Sequence, residues 1–132
     1  VDLKEFIERL LDTYRAQMGG NITLTGDIAS VRVPGREAAN IGIVINELVT
    51  NALRHGFDEG QTGKIDVSAA LDGGAVNITV KDDGKGLPKD FDPSQTSGLG
   101  MRLSRMMAKQ FSGELVWSSG DRGTAFEFAV RL

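Results

Sequence analysis

The stretch from Arg36 to Phe57, REAANIGIVINELVTNALRHGF, constrains this chain more than any other. Ile41, Val44, Ile45, Leu48, Val49, Ala52 and Leu53 recur at helical spacing, so most of it reads as a buried helix. Glu47, Asn51, Arg54 and His55 stand at i, i+4, i+7 and i+8 and share one side over two turns. Such a side is either the solvated face of an amphipathic helix or the lining of a pocket. A carboxylate, an amide and two side chains able to carry positive charge suit an oxyanion and a metal ion better than plain solubility.

Composition narrows the classes that remain. A chain of 132 residues with 40% hydrophobic and 25% charged residues fits one globular domain with a real core. A formal charge of −3 offers no broad basic field, so neither nucleic acid nor direct membrane contact is expected. No apolar run approaches the roughly 20 residues of a spanning helix, and no signal-peptide pattern opens the chain. Without cysteine there is no disulfide and no thiolate metal site, which fits a reducing compartment and a cytoplasmic location. Gly 17 against Pro 3 is the unusual count. Many of these glycines cluster in short motifs, where backbone must approach something closely.

Asp2 to Gln17 reads as an amphipathic helix with Leu3, Phe6, Ile7, Leu10, Leu11 and Tyr14 on its apolar side. Asp2 is its expected N-cap, Glu5 follows three residues on, and Gly19-Gly20 ends it. Asn21 to Thr25 alternates as a half-buried strand. Gly26-Asp27 then leads to a second short strand near Val31 to Val33, with Arg32 turned to solvent. Lys64 to Leu71 and Ala75 to Lys81 alternate at period two around Asp72-Gly73-Gly74, a hairpin signal. Lys89 to Ser97 is a polar loop anchored by Phe91 and Pro93 and expected to be mobile. Met101 to Gln110 reads as a helix, and Glu114 to Ser118 and Thr124 to Val130 as a last pair of strands. These elements predict an α+β two-layer sandwich, a mixed and mostly antiparallel sheet with about three helices on one face. No repeat or linker divides it, so residues 1–132 are expected to form a single domain.

Two glycine motifs follow the long helix in the chain. Asp82-Asp83-Gly84-Lys85-Gly86 follows a strand directly. It is either a plain turn or a pocket in which Asp82 accepts from an exocyclic amine while Gly84 and Gly86 let a flat ring lie on the backbone. Gly98-Leu99-Gly100 is either a hinge or a helix start whose free N–H groups hold phosphate. The P-loop pattern is absent, and so is a Rossmann turn. Asn51 offers a neutral oxygen of the kind Mg²⁺ takes, and Glu47 one turn away can orient or deprotonate a nucleophile. Arg54 or His55 can face phosphate oxygens. His55 is the only histidine, and by itself reads equally as a structural or surface group.

Asn46 to His55, NELVTNALRH, resembles the N box of the GHKL ATP-binding fold. Asp82-x-Gly84-x-Gly86 resembles its G1 box, Gly98-Leu99-Gly100-Met101 its G2 box, and Gly123 to Phe128 its closing G-T-x-F-x-F strand. The four occur in the family's order. ELVTNALRH and GLGMRL are most similar to the catalytic domains of a sensor histidine kinase subgroup common in bacterial light and stress sensors. The resemblance implies that Asn51 holds Mg²⁺ bridging the phosphates of ATP and that Glu47 acts as polarising base. It implies that Arg54 and His55 contact phosphate and that Asp82 recognises the adenine amine beside Gly84 and Gly86. It further implies that Thr124 adds a hydroxyl, that Gly98, Leu99 and Gly100 hinge the loop over the triphosphate, and that Lys89 to Ser97 form an ATP lid. Arg102 reads equally as a phosphate contact or a solvated residue.

The family's phosphoacceptor histidine lies on a separate helical hairpin, and the only histidine here is inside the N box. The chain is therefore expected to be a catalytic fragment, monomeric alone. Its partners would be a phosphoacceptor helical domain of the same full-length protein and a downstream response regulator. Two other functions fit the same motifs. One is an anti-sigma-type serine kinase, the other a degenerate domain that docks a response regulator without ATP. Intact Glu47, Asn51 and Asp82 argue against the second.

Overall fold

A computed structural model describes residues 1–18, 21–55, 57, 60–84, 116–120 and 123–131. Helix α1 spans Leu3–Gln17 and opens as expected. The Asp2 side chain accepts from the Lys4 amide at 3.0 Å and the Glu5 amide at 3.4 Å, which satisfies two donors with no partner inside the helix. Strand β1 (Ile22–Ile28) follows, then the long helix α2 (Gly35–His55), and then strands β2 (Gly63–Asp72) and β3 (Ala75–Asp82). Strands β4 (Val116–Gly120) and β5 (Gly123–Arg131) end the described chain.

The strands form one sheet in the order β1-β2-β3-β5-β4. β1 runs parallel to β2, and every other neighbouring pair is antiparallel. This is the expected mixed, mostly antiparallel sheet. A parallel pair needs a long crossover, and α2 supplies it between β1 and β2. One face of the sheet carries Leu24, Ile28, Ile65, Val67, Val76, Ile78, Val80, Phe126, Phe128 and Val130, all buried. These join Ile7 and Leu11 of α1 and Ile41, Val44, Ile45, Leu48 and Val49 of α2 in one core. Each such side chain contributes about 1.5–3 kcal/mol of hydrophobic stabilisation. The other face alternates to polar groups such as Thr25, Asp66, Ser68, Asn77 and Thr79, none of them buried. Across the parallel pair the Thr25 hydroxyl donates to Asp66.

Two expectations are corrected. Gly26-Asp27 does not end the first strand. β1 continues through both residues to Ile28, with Gly26 opposite Val67 and Asp27 opposite Ser68. Gly26 lies under α1, where a Cβ would come 2.7 Å from Leu11 Cδ1, so it marks a close approach rather than a turn. Val31 to Val33 is not a second strand of the sheet. It makes a single antiparallel bridge, Asp2 to Arg32, with backbone bonds from Leu3 N to Val31 O at 2.8 Å and Val33 N to Val1 O at 2.9 Å. Val33 is buried and Arg32 exposed, as the alternation predicted. The helix over Met101 to Gln110 and the loop over Lys89 to Ser97 lie outside the described residues, as does the start of the strand expected at Glu114. Among the described residues no helix is long and apolar enough to cross a membrane.

Gly123 opens β5 at φ +123°, a conformation that side-chain-bearing residues rarely adopt, and a Cβ there would collide with the backbone carbonyl of Asp82. Gly123→Ala should therefore lower stability by about 3 kcal/mol or more, read as a drop in the urea unfolding midpoint. An unchanged midpoint would show that this crossing does not constrain the strand.

Candidate functional site

The end of β3 gathers the first group of predicted residues. Asp82 sits opposite Ile65 on one side and Thr124 on the other, and Thr124 opposite Ser119. Asp82 is 7% exposed and Thr124 6%, and they are the only buried polar side chains among the described residues. The Gly84 amide donates to Asp82 Oδ1 at 2.9 Å, and the Thr124 amide also bonds the carboxyl. Burial raises the Asp82 pKa above 3.8, the two amides pull it back, and neighbouring Asp83 adds to the rise. A carboxylate has about four lone-pair sites. Two amides leave capacity for an amine hydrogen. Asp83 is committed elsewhere: it accepts from the Lys64 amide at 2.7 Å, and its own amide donates to Lys64 O at 3.2 Å. The strand thus turns one aspartate toward the helices and ties the other to the neighbouring strand.

Helix α2 carries the second group and packs against β3. Ile41, Val44, Ile45, Leu48, Val49 and Ala52 are buried as expected, Leu53 is only partly buried and Ile43 is exposed, while Glu47 and Asn51 are half-buried and Arg54 exposed. Among the described residues no hydrogen bond or ion pair engages Glu47 or Asn51, so their oxygens stay available. His55 ends α2, and its side chain lies outside the described residues, as do Gly86, Gly98, Leu99, Gly100, Phe91 and Arg102.

Tyr14 and Asn46 form a contact that the sequence pattern did not announce. The Tyr14 hydroxyl donates to Asn46 Oδ1 at 2.6 Å and ties α1 to the residue before Glu47. They line a cleft of about 430 Å³ with Gln17, Met18, Ile22, Thr50 and Leu53. Asn46, Thr50 and Leu53 each precede Glu47, Asn51 and Arg54 by one residue, a step of about 100° around the helix. The cleft therefore faces α1, and the Glu47 stripe lies about 100° around the helix from it. Tyr14 was legible only as part of an apolar face, because a hydrogen bond across 32 residues leaves no local signal.

Burial pushes the Tyr14 hydroxyl from 10.0 up to about 12. A folded value above the unfolded one means that its stabilising contribution is present below pH 10 and lost as pH climbs toward 12. Tyr14 is the only tyrosine, so tyrosinate absorbance reads it alone. The native chain should titrate near 12 and the urea-unfolded chain near 10, and coincident curves would remove the burial argument.

The layered sheet thus carries a buried aspartate at one strand end, and the covering helix carries a polar stripe. Residues 36–132 match the family described as histidine kinase-, DNA gyrase B-, and HSP90-like ATPases, and the chain belongs to that family. ATP is the nucleotide that membership implies. Blue-light-activated histidine kinase 2 of Erythrobacter litoralis is 32% identical over 114 residues, covering 86% of this chain and 33% of that protein. Sensor histidine kinase PdtaS of Mycobacterium tuberculosis is 30% identical over 131 residues, covering 94% of this chain and 26% of that protein. The chain thus spans about a third and about a quarter of those relatives. Anti-sigma F factor of Geobacillus stearothermophilus is 33% identical over 67 residues, covering 51% of this chain and 46% of that protein. The histidine kinase domain of Erythrobacter litoralis EL346 blue-light activated histidine kinase superposes with a TM-score of 0.92 at 29% identity, covering 100% of this chain and 62% of that one.

Proposed function

We propose that residues 1–132 form a single ATP-binding catalytic domain of a sensor histidine kinase. It passes the γ-phosphoryl group of ATP to a histidine on a separate helical domain of the longer protein. The observation that carries this reading is Asp82, buried at the end of β3 with lone pairs left over beside Thr124. Asp82 accepts from the adenine amine, Gly84 and Gly86 let the ring approach, and Thr124 adds a hydroxyl. Gly98, Leu99 and Gly100 cover the triphosphate, and Arg54 and His55 contact its oxygens. Glu47 stands by the transfer itself.

Asn51 fits Mg²⁺. It is an oxygen donor without another engagement among the described residues. No cluster of three or more acidic or histidine groups among those residues could cage an ion, so most ligands would come from phosphates and water. When bound, the ion neutralises charge on the phosphates. The chain's own residues do the positioning. The acceptor ring nitrogen attacks phosphorus, the bond to the β–γ bridging oxygen breaks, and ADP leaves. Glu47 holds or takes the proton on the other ring nitrogen. The only histidine lies at the end of α2, so the acceptor comes from another domain, and a response regulator receives the phosphoryl group next. We place this work in the cytoplasm, with the isolated domain a monomer.

Calorimetry tests the reading. Mg-ATP should bind the 132-residue chain at micromolar to millimolar concentration, and Asn51→Ala should erase most of the dependence on Mg²⁺. No binding at millimolar nucleotide removes the kinase reading. The similarity to an anti-sigma factor over half of the chain keeps a serine kinase as a second reading. Acid-stable phosphate on the acceptor would favour it, and acid-labile phosphate the histidine kinase.

A further inference from the structure

Asp82, Thr124 and Ser119 form a row across three neighbouring strands. Thr124 pairs with Asp82 on one side and with Ser119 on the other. Directly paired residues point to the same face, so all three side chains lie on the helix side of the sheet. Ser119 Oγ is 3.0 Å from Thr124 Oγ1. Thr124 is buried, while Ser119 stands exposed at the rim, on a strand with no residue in the core.

A hydroxyl has one proton and two lone pairs. If Thr124 donates to Ser119, it has no proton for a ligand. If it accepts from Ser119, its own proton is released. Beside its exocyclic amine, adenine carries an unprotonated ring nitrogen, N1. An ionised carboxylate accepts from the amine but offers N1 nothing. This edge of the base needs an acceptor and a donor side by side.

We propose that Ser119 is a positioning residue for base selection: its hydroxyl donates to Thr124 Oγ1 and turns the Thr124 proton toward adenine N1, directly or through one water. The inference rests on the nucleotide reading above and adds to it a route to specificity. Guanine and hypoxanthine, with N1 protonated and oxygen at C6, present the reverse pattern and are rejected by both groups.

Three nucleotides separate the contributions in calorimetry on the 132-residue chain. 1-Deaza-ATP keeps the amine but lacks N1, and purine riboside triphosphate keeps N1 but lacks the amine. The parent should bind ATP about five-fold tighter than 1-deaza-ATP, the worth of one net hydrogen bond. Ser119→Ala leaves Thr124 its proton but no longer orients it, so it should lower that ratio and leave the penalty for purine riboside triphosphate intact. Ser119→Thr, which keeps the hydroxyl, should restore the ratio. A full penalty in Ser119→Ala overturns the proposal, and so does a lowered penalty that Ser119→Thr fails to restore. Absence of ATP binding by the parent, or unchanged binding in Asp82→Asn, overturns instead the nucleotide reading beneath it.

Discussion

Asp82→Asn should weaken Mg-ATP binding by about 10- to 150-fold, the range set by losing a hydrogen bond to a charged acceptor in a buried site. The substitution keeps the shape of the side chain and leaves one oxygen for the Gly84 and Thr124 amides that bond the carboxyl. What disappears is the charge and the spare lone pairs that the proposed site offers the base. Stability should respond in a different sense. Burial raises the folded pKa of Asp82 above 3.8, so the protonated form is the one the fold prefers. Its contribution is present below 3.8 and is lost as pH rises through the raised folded value. Urea midpoints measured from about pH 3 to pH 7 should therefore show Asp82→Asn gaining on the parent as pH rises. Parallel curves would mean that the carboxyl is not held in a desolvated place. Unchanged affinity would mean that it does not meet the nucleotide. A gain in stability together with a loss of binding would mark Asp82 as a group kept for function at a cost to the fold.

Where the sequence could be read, the reason is local. Asp72-Gly73-Gly74 predicted the hairpin because a short glycine turn between alternating strands leaves few alternatives, and β2 pairs with β3 from Ile65 opposite Asp82 to Asp72 opposite Ala75. Asp2 announced α1 because a cap is a contact between near neighbours. Gly26 misled because a glycine required by the packing of a helix overhead has the same one-residue signature as a glycine in a turn. Val31 to Val33 misled because alternation reports which side chains face the core and says nothing of the partner backbone. That partner is the first residues of the chain instead of the sheet. The candidate site divides in the same way. Asp82, Glu47 and Asn51 were legible because each sits inside a short motif. The hydrogen bonds of Ser119 and Asn46 were not, because they depend on pairing across strands and across helices.

Glu47→Gln should lower the rate of phosphoryl transfer to the acceptor histidine by about 100-fold or more, within the range general-base groups contribute, while Mg-ATP binds within about two-fold of the parent. Glutamine has the size of glutamate and keeps a hydrogen-bonding oxygen, but it cannot take a proton. Glu47 is half-buried on α2 with no partner among the described residues, so the exchange breaks no contact that holds the helix, and thermal unfolding should not move. Those two controls give the measurement its meaning. A residue that merely shaped the helix would lower stability, and a phosphate ligand would weaken nucleotide binding. A group that acts at the transferring proton changes only the chemical step. The assay is a single turnover at saturating ATP with the histidine-bearing helical domain supplied, followed as acid-labile phosphate. Transfer at the parental rate would remove the base from the proposed site, and positioning alone would then have to account for the reaction.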